Sequence, residues 1–400
     1  MLSSSRRMRG VLVWAYGIFP LSALLLLACT PGASVAEAQT LRAQQRLAAQ
    51  QQALRDAHNE QALLVVTSHP RHSYAGMASD VAGMLGGSGE IRLVPIMGGG
   101  GPDNLKDLLL LRGADMAIVA SNVLSNAKIS EVLGGNLQQK IVYVTRLYGE
   151  ELHLLAGRGI GSLEELSGKK VAVPIADGNA LFAATDVFQR LSIQADIVQT
   201  DVVTAMEQIR SGEIAAALLV GGKPLPLVSG LPKDGSLRLL GLRSALTSDE
   251  SYAPAVFRAE DYPTLIPSNV AVETVSISAI LLARNTKDGE ESYRRVDKFV
   301  PLFFRGLTEL AGPPRHPKWA DVNLSAALTG WPRFGPAQQW LDNARIQQAA
   351  WLQKSFEDFL RTNNVSGSAP LSAAQRQKLF DEFVSWTRKS VANPPQSVRQ

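Results

Sequence analysis

Val272 to Arg284 reads VETVSISAILLAR. The run is too long for an ordinary short strand, and it alternates cleanly between Glu273 and Ser278. An extended segment of this kind is what a chain needs to run back between two lobes. A shorter run, Glu151–Ala156 (ELHLLA), is the candidate for the outward crossing. A two-lobed fold then requires an α/β unit on each side of that outward segment.

Both units are legible. The first has apolar runs at Ala62–Thr67, Ile91–Ile96, Asp115–Ala120 and Lys140–Arg146. Between them lie helical patterns over Ser73–Leu85 and about Asn104–Leu111, the second preceded by the Gly98–Pro102 break. The same order restarts after Ser162, where Ser-Leu-Glu-Glu fits a capping box. Strands are expected at Lys170–Pro174, Asp196–Gln199, Ile214–Val220 and Leu237–Leu242, with helices over Gly178–Leu191 and Val202–Arg210. Short apolar runs alternating with helical patterns imply parallel strands in an α/β sheet. Beyond Arg284 come a helix near Glu291–Leu310, a Gly312-Pro313-Pro314 break and helices at about Ala337–Leu360 and Ser372–Ser390.

With 46% hydrophobic and 19% charged residues, the 400-residue chain reads as a globular body with a sizeable core. Its N-terminus reads as an export signal: Arg6, Arg7 and Arg9 precede an apolar run from Val11 to Ala28. Leu26-Leu27-Ala28-Cys29 resembles a bacterial lipobox, which makes Cys29 a lipidation candidate and the mature N-terminus. Ala36-Glu37-Ala38 offers an ordinary cleavage site instead, and an uncleaved anchor is the third alternative. Cys29 is the only cysteine, so a folded body has no disulfide, thiolate metal site or thiol nucleophile to draw on. The three arginines of residues 1–28, with no acid beside them, leave +1 of the formal +4 for the remainder, which gives no case for nucleic-acid binding.

Three blocks carry a family likeness: SLEELSGKKVAVPIADGNALFAATDVFQRLSI (162–193), AMEQIRSGEIAAALLVGGKPLPLV (205–228) and YPTLIPSNVAVETVSISAILLARN (262–285). In order and content they resemble the solute receptors of TRAP transporters, in the TAXI branch, from about Leu64 to Asn343. The resemblance implies a type II periplasmic binding protein: two α/β lobes, joined by crossing strands, closing on a small solute, often a carboxylate or amino acid. It also implies delivery to membrane transporter subunits, no cofactor and no catalysis. Two turns depart from the pattern. The family's first strand ends in a Gly/Ser/Thr-rich turn, whereas this chain has Ser68-His69-Pro70-Arg71-His72-Ser73 before Tyr74. Ala176-Asp177-Gly178-Asn179 likewise stands where a Ser/Gly-rich turn is expected.

The candidate ligand-binding residues follow from these turns. A strand-to-helix turn points free amides and the positive end of the helix dipole into a cleft. Arg71 adds a planar donor fork, so Arg71 with the amides near Ser73 and Tyr74 is expected to hold an anionic group, with Thr67, His69 and His72 around it. The alternative is a solvated loop tip. Gly99, Gly100 and Asn104 are candidates to wrap a ligand edge, or form a plain loop. Asp177 and Asn179 open the second-lobe helix, where Asp177 is either its cap or a partner for a ligand ammonium. Gly222 and Lys223 follow a buried strand and resemble the family's glycine-plus-proline turn, with Lys223 either a second anion contact or a surface cation. Trp319, Trp331, Trp340 and Trp351 read as packing for the C-terminal helices rather than as a sugar platform.

A metal site needs more ligands than His69 and His72 supply, and no H-E-x-x-H, G-x-S-x-G or Walker A pattern is present. The expected organisation is a lipoprotein-type signal (1–28), a helical stalk (29–61) and lobe 1 (62–152). Lobe 2 (153–272), the crossover with the return to lobe 1 (273–345) and a C-terminal helical extension (346–400) complete it. Expected partners are a small solute, transporter subunits and a membrane reached through the lipid anchor. The rival readings are a tethered sensing or envelope-interaction module of the same fold, and an exported enzyme that uses the histidine pair for acid–base work.

Overall fold

The computed structural model describes residues 31–70, 72–242, 246, 251–362 and 372–390; the apolar segment Val11–Ala28, Cys29 and Arg71 lie outside them. The chain divides into two compact units at Ala57/His58. Helix α1 (Pro31–Glu60) lies almost wholly in the first, and every described side chain on it is exposed. None of the described helices is long and apolar enough to cross a membrane.

The second unit is a two-lobed α/β fold. Strands β1 (Ala62–Val66), β2 (Arg92–Ile96) and β3 (Ala114–Ala120) alternate with helices α2 (Ser73–Leu85) and α3 (Pro102–Leu110). Short helices α4 (Ser121–Leu124), α5 (Ala127–Val132) and α6 (Leu137–Lys140) lead into β4 (Ile141–Gly157). The second lobe repeats the order as β5 (Lys170–Pro174), α7 (Gly178–Arg190), β6 (Asp196–Thr200), α8 (Val202–Ser211) and β7 (Ala216–Gly221). There follow α9 (Pro226–Ser229), β8 (Leu237–Leu240), β9 (Ala253–Phe257), β10 (Val272–Arg284), α10 (Glu291–Leu310), α11 (Gly335–Thr362) and α12 (Ala373–Ser390).

One sheet runs through both lobes in the order β2-β1-β3-β10-β4-β7-β5-β6, with β8 on β4 and β9 on β10. β1 pairs in parallel with β2 and β3, and β5 with β6 and β7. Parallel strands are covered on both faces, which is why ALLVV in β1 and AALLVG in β7 are nearly continuous apolar runs. The outer strands β2 and β6 are partly exposed, and β2 tolerates Pro95 because an edge strand can spare a donor.

The crossings are the two longest strands. β4, with 17 residues, spans about 55 Å, and β10, with 13, about 43 Å. Each exchanges neighbours midway. β4 pairs with β10 up to Glu151 and with β7 from Glu151 to Ala156. β10 pairs with β9 through Ser276 and with β3 from Ala279. Lys140–Arg146 and Glu151–Ala156, expected as separate segments, therefore belong to one strand from Ile141 onward, with Lys140 closing α6.

Three apolar clusters hold the body together. One packs α2 and α10 on the first lobe, with Phe299, Phe303 and Trp319 at its centre. Gly306 lets α10 approach α2 there, since a Cβ at 306 would run into the Met84 side chain. A second packs α8 against β5, β7 and β8 around Phe257 and Tyr262. The third continues from Leu105 and Leu108 of α3 to Ala180, Ala183 and Val187 of α7, and so crosses from lobe to lobe. Among the four tryptophans, Trp319 is core and Trp340 packs edge-on against Phe304. The expected capping box at Ser162 does not form. A 3-10 turn covers Glu164–Leu166, and the Glu165 carboxylate accepts from the Gly161 amide at 3.0 Å, one residue short of the box.

Candidate functional site

The β1–α2 turn is built from its own side chains. Thr67 Oγ donates to Ile96 O at 3.0 Å, and its carbonyl accepts from the Gly98 amide, so Thr67 ties the first turn to the glycine loop. His69 and Pro70 are exposed, while Ser68, His72 and Tyr74 are buried. His72 caps α2: its Nδ1 accepts from the Tyr74 amide at 3.4 Å. A neutral imidazole accepting at Nδ1 carries its proton on Nε2. That nitrogen lies 3.5 Å from Glu150 Oε1 and 3.4 Å from Asn179 Nδ2. Since Asn179 Nδ2 is itself a donor, the His72 proton is directed at the carboxylate.

Glu150 was not anticipated. It is fully buried on β4, one residue before the strand begins to pair with the second lobe. Tyr74 Oη donates to Oε2 at 2.7 Å and Ser73 Oγ to Oε1 at 3.0 Å, while Tyr148 Oη donates to Ser73 Oγ at 2.6 Å. Burial pushes the Glu150 pKa up from the usual carboxylate range, against the lowering effects of His72, Tyr74 and Ser73. Burial beside this carboxylate likewise lifts the Tyr74 and Tyr148 phenols well above their ordinary value, so both are donors at any physiological pH.

Above this floor the two lobes touch. The Gly178 amide donates to Gly99 O at 3.0 Å, and the Gly101 amide donates to Asn179 Oδ1 at 2.6 Å. Asn104 braces the loop from below: its Oδ1 accepts from the Gly100 amide at 3.0 Å and its Nδ2 donates to Ile118 O at 2.8 Å. Gly100 and Gly101 have φ of 76° and 53°, a backbone region that favours glycine. Gly101 and Gly178 also have no room for a side chain, because a Cβ on either would lie 2.5 Å from a backbone oxygen of the opposite lobe. Asp177 Oδ1 accepts from the Ala180 amide at 3.0 Å and caps α7, a bond of about 1 kcal/mol. Its negative charge also acts on Glu150. The sequence-predicted residues Thr67, His72, Ser73, Tyr74, Gly99, Gly100, Asn104 and Asn179 are thus brought together where the lobes meet.

Gly222 and Lys223 belong to a different set of contacts. The Lys223 amide donates to Glu151 Oε2 at 2.8 Å, while its ammonium pairs with Asp261 at 3.0 Å and donates to Val256 O. A Cβ on Gly222 would meet the Lys318 side chain at 2.6 Å. Lys318 Nζ pairs with Glu151 at 3.1 Å and Asp321 at 2.9 Å. Burial opposes the Lys318 charge, but the two carboxylates outweigh it and hold its pKa above the ordinary value.

Behind Glu151, His153 bonds Tyr262 Oη at 2.6 Å and stacks on Phe257. Burial lowers its pKa from 6.5 to about 3. His153 is therefore neutral when folded and takes up a proton only on unfolding. Its contribution to stability is fully present above pH 6.5 and is lost as pH falls from 6.5 towards 3. The loss is about 2 kcal/mol by pH 5. In urea unfolding at pH 7 and pH 5, His153→Asn should narrow the difference between the two pH values by about that amount. An unchanged difference would exclude this histidine as its source.

Among the described residues no group of three or more His, Cys, Asp or Glu side chains is placed to hold a metal ion. Glu150 escaped the sequence reading because Gly149-Glu150 looks like the end of a strand. Its signal was the apolar sequence on both sides, which continues the strand through it.

A profile described as the NMT1-like family matches residues 75–310. No curated protein sequence matches the chain. Among solved structures, the alkanesulfonate-binding protein SsuA from Xanthomonas axonopodis pv. citri, bound to MOPS, is 13% identical. It covers 84% of this chain and 95% of its own, with a TM-score of 0.37. The amino acid ABC transporter substrate-binding protein AbpA from Streptococcus pneumoniae, bound to L-arginine, is 15% identical, with a TM-score of 0.34 and coverage of 60% and 87%. XAC2383 from Xanthomonas citri, bound to chloride ion, is 12% identical, with a TM-score of 0.38 and coverage of 82% and 98%. These likenesses are too distant for any ligand to be carried over.

Proposed function

The chain belongs to the NMT1-like family, and from that premise and the geometry of the cleft we propose that it is an extracytoplasmic solute-binding receptor. It binds a small solute between its lobes, closes on it, and hands it to a membrane transporter of the TRAP type. The observation that carries this reading is the contact of the Gly98–Gly101 loop with the N-terminus of α7, where Asn179 lies 3.4 Å from His72 of a buried polar floor on a crossing strand. The lobes are connected by extended strands and meet through two hydrogen bonds of the glycine loop, each worth about 1 kcal/mol net, and through the apolar packing of α3 on α7, a seam that a guest in the cleft would hold shut.

The proposed solute is amino-acid-like. Its carboxylate is assigned to Arg71, which lies outside the described residues. Tethering is assigned to a lipidated Cys29, with α1 as the spacer. The mechanism is binding and closure, without chemical turnover.

Native mass spectrometry of gently purified protein tests the reading. The expected result is a non-covalent adduct of a few hundred daltons at most that raises the unfolding temperature when added back. Protein that carries no adduct, and that no amino acid, dicarboxylate, amine or sugar stabilises, would contradict it. A tethered sensor of the same fold would bind its solute equally well but support no uptake when reconstituted with a transporter.

A further inference from the structure

Glu150 and Glu151 are neighbours on β4 with opposite electrostatic surroundings. Glu151 has the Lys318 ammonium at 3.1 Å and the Lys223 amide at 2.8 Å. Glu150 has only hydroxyls and an imidazole: Tyr74 Oη, Ser73 Oγ, Tyr148 Oη and His72 Nε2. Among the described residues no lysine or arginine pairs with it, although it is as deeply buried as any side chain in the protein. Asp177 reaches it electrostatically from the second lobe and adds negative charge.

A buried carboxylate held by neutral donors is less fully compensated than one paired with a cation, so it has capacity for a positive group. The position of this one decides between a structural and a ligand role. It lies where β4 passes from one lobe to the other, beneath the contact that closes the cleft. Its hydroxyl partners fix both oxygens in place, which is pre-organisation for an incoming donor. In the same turn the Ser68 hydroxyl is buried and has no hydrogen-bond partner among the described residues.

Resting on the reading of the protein as a solute receptor, we propose that Glu150 accepts a cationic nitrogen of the bound solute, an ammonium or amidinium group. Ser73, Tyr74 and Tyr148 hold its carboxylate in position.

Titration calorimetry on the full chain tests this, with L-alanine, L-lysine and agmatine as probes bearing a cationic nitrogen, succinate as the anion and glucose as the neutral control. At least one cationic probe is expected to bind, and Glu150→Gln, which keeps the shape and loses the charge, should weaken it about thirtyfold. Ser73→Ala, which frees the carboxylate to move, should weaken it by a smaller factor. In the wild type, affinity should fall from pH 8 to pH 5. The proton then competes at Glu150, and His72, His316, Lys318, Glu151 and Asp177 are the other titratable or charged groups that face it. Glu150→Gln should flatten that dependence, and its unfolding temperature shows whether it is folded. Equal affinity of wild type and a folded Glu150→Gln for the cationic probe overturns the proposal. So does binding of succinate or glucose with no cationic probe bound, a result that leaves the receptor reading standing. No binding by any probe class overturns both.

Discussion

Gly178→Ala is expected to weaken solute binding at least about tenfold, a loss of about 1.4 kcal/mol, while leaving the fold intact. The reason is steric and confined to closure. An ideal Cβ on Gly178 would lie 2.5 Å from Gly99 O and 2.7 Å from Gly100 O, and both are backbone atoms that cannot rotate aside. The added methyl therefore pushes the glycine loop off the N-terminus of α7 and breaks the bond from the Gly178 amide to Gly99 O. Within its own lobe the substitution is harmless, because alanine favours the first turn of α7 more than glycine does. Gly76→Ala on α2 serves as the control, since a Cβ there meets nothing within 4 Å. Calorimetry with the co-purifying solute should show the loss in Gly178→Ala and none in Gly76→Ala. Equal affinity in both variants would mean that the inter-lobe contact takes no part in binding.

Asp115→Ala is expected to cost about 3 kcal/mol of folding stability, because it removes a fully buried carboxylate that anchors two elements and leaves the partly buried Arg295 only the exposed Glu291, at 3.5 Å, among the described carboxylates. Asp115 is 1% exposed at the start of the central first-lobe strand β3. Its carboxylate takes the Arg295 guanidinium through both oxygens, at 2.8 and 3.1 Å, together with the Ser292 hydroxyl and the Leu64 amide. One side chain thus ties β1, β3 and α10, and hydrogen bonding to it raises the Arg295 pKa. Urea unfolding checks the value. A loss below about 1 kcal/mol would show that the guanidinium finds water or another partner when the carboxylate is gone.

The two predictions bear on different links of the chain from sequence to function, and the sequence was unequally informative about them. β10 was legible as a single crossing because no glycine or proline interrupts Val272–Arg284. β4 was not, since Tyr148-Gly149-Glu150-Glu151 has the composition of a strand end. The chain keeps these residues extended because Glu150 finds the Ser73 and Tyr74 hydroxyls and Glu151 finds Lys318, and none of those is near in sequence. β9 was also missed: Ala253–Phe257 contains Pro254 and exists by pairing with the near end of β10. The glycine loop and the Asp177 turn were each picked out by their residue types. That they meet each other follows only from the arrangement of the lobes. Asp177 turned out to cap α7, and the buried carboxylate that no lysine or arginine meets among the described residues is Glu150.

The central claim is that the lobes move about β4 and β10 and shut over a solute. Pulsed electron resonance measures this directly, with spin labels on Lys106→Cys in α3 and Gln189→Cys in α7, both exposed positions on opposite lobes, and Cys29→Ser as the background. Protein stripped of solute should give a broad or longer distance distribution, which collapses to one short distance when the co-purifying solute is returned. A single unchanged distance with and without solute would contradict the account.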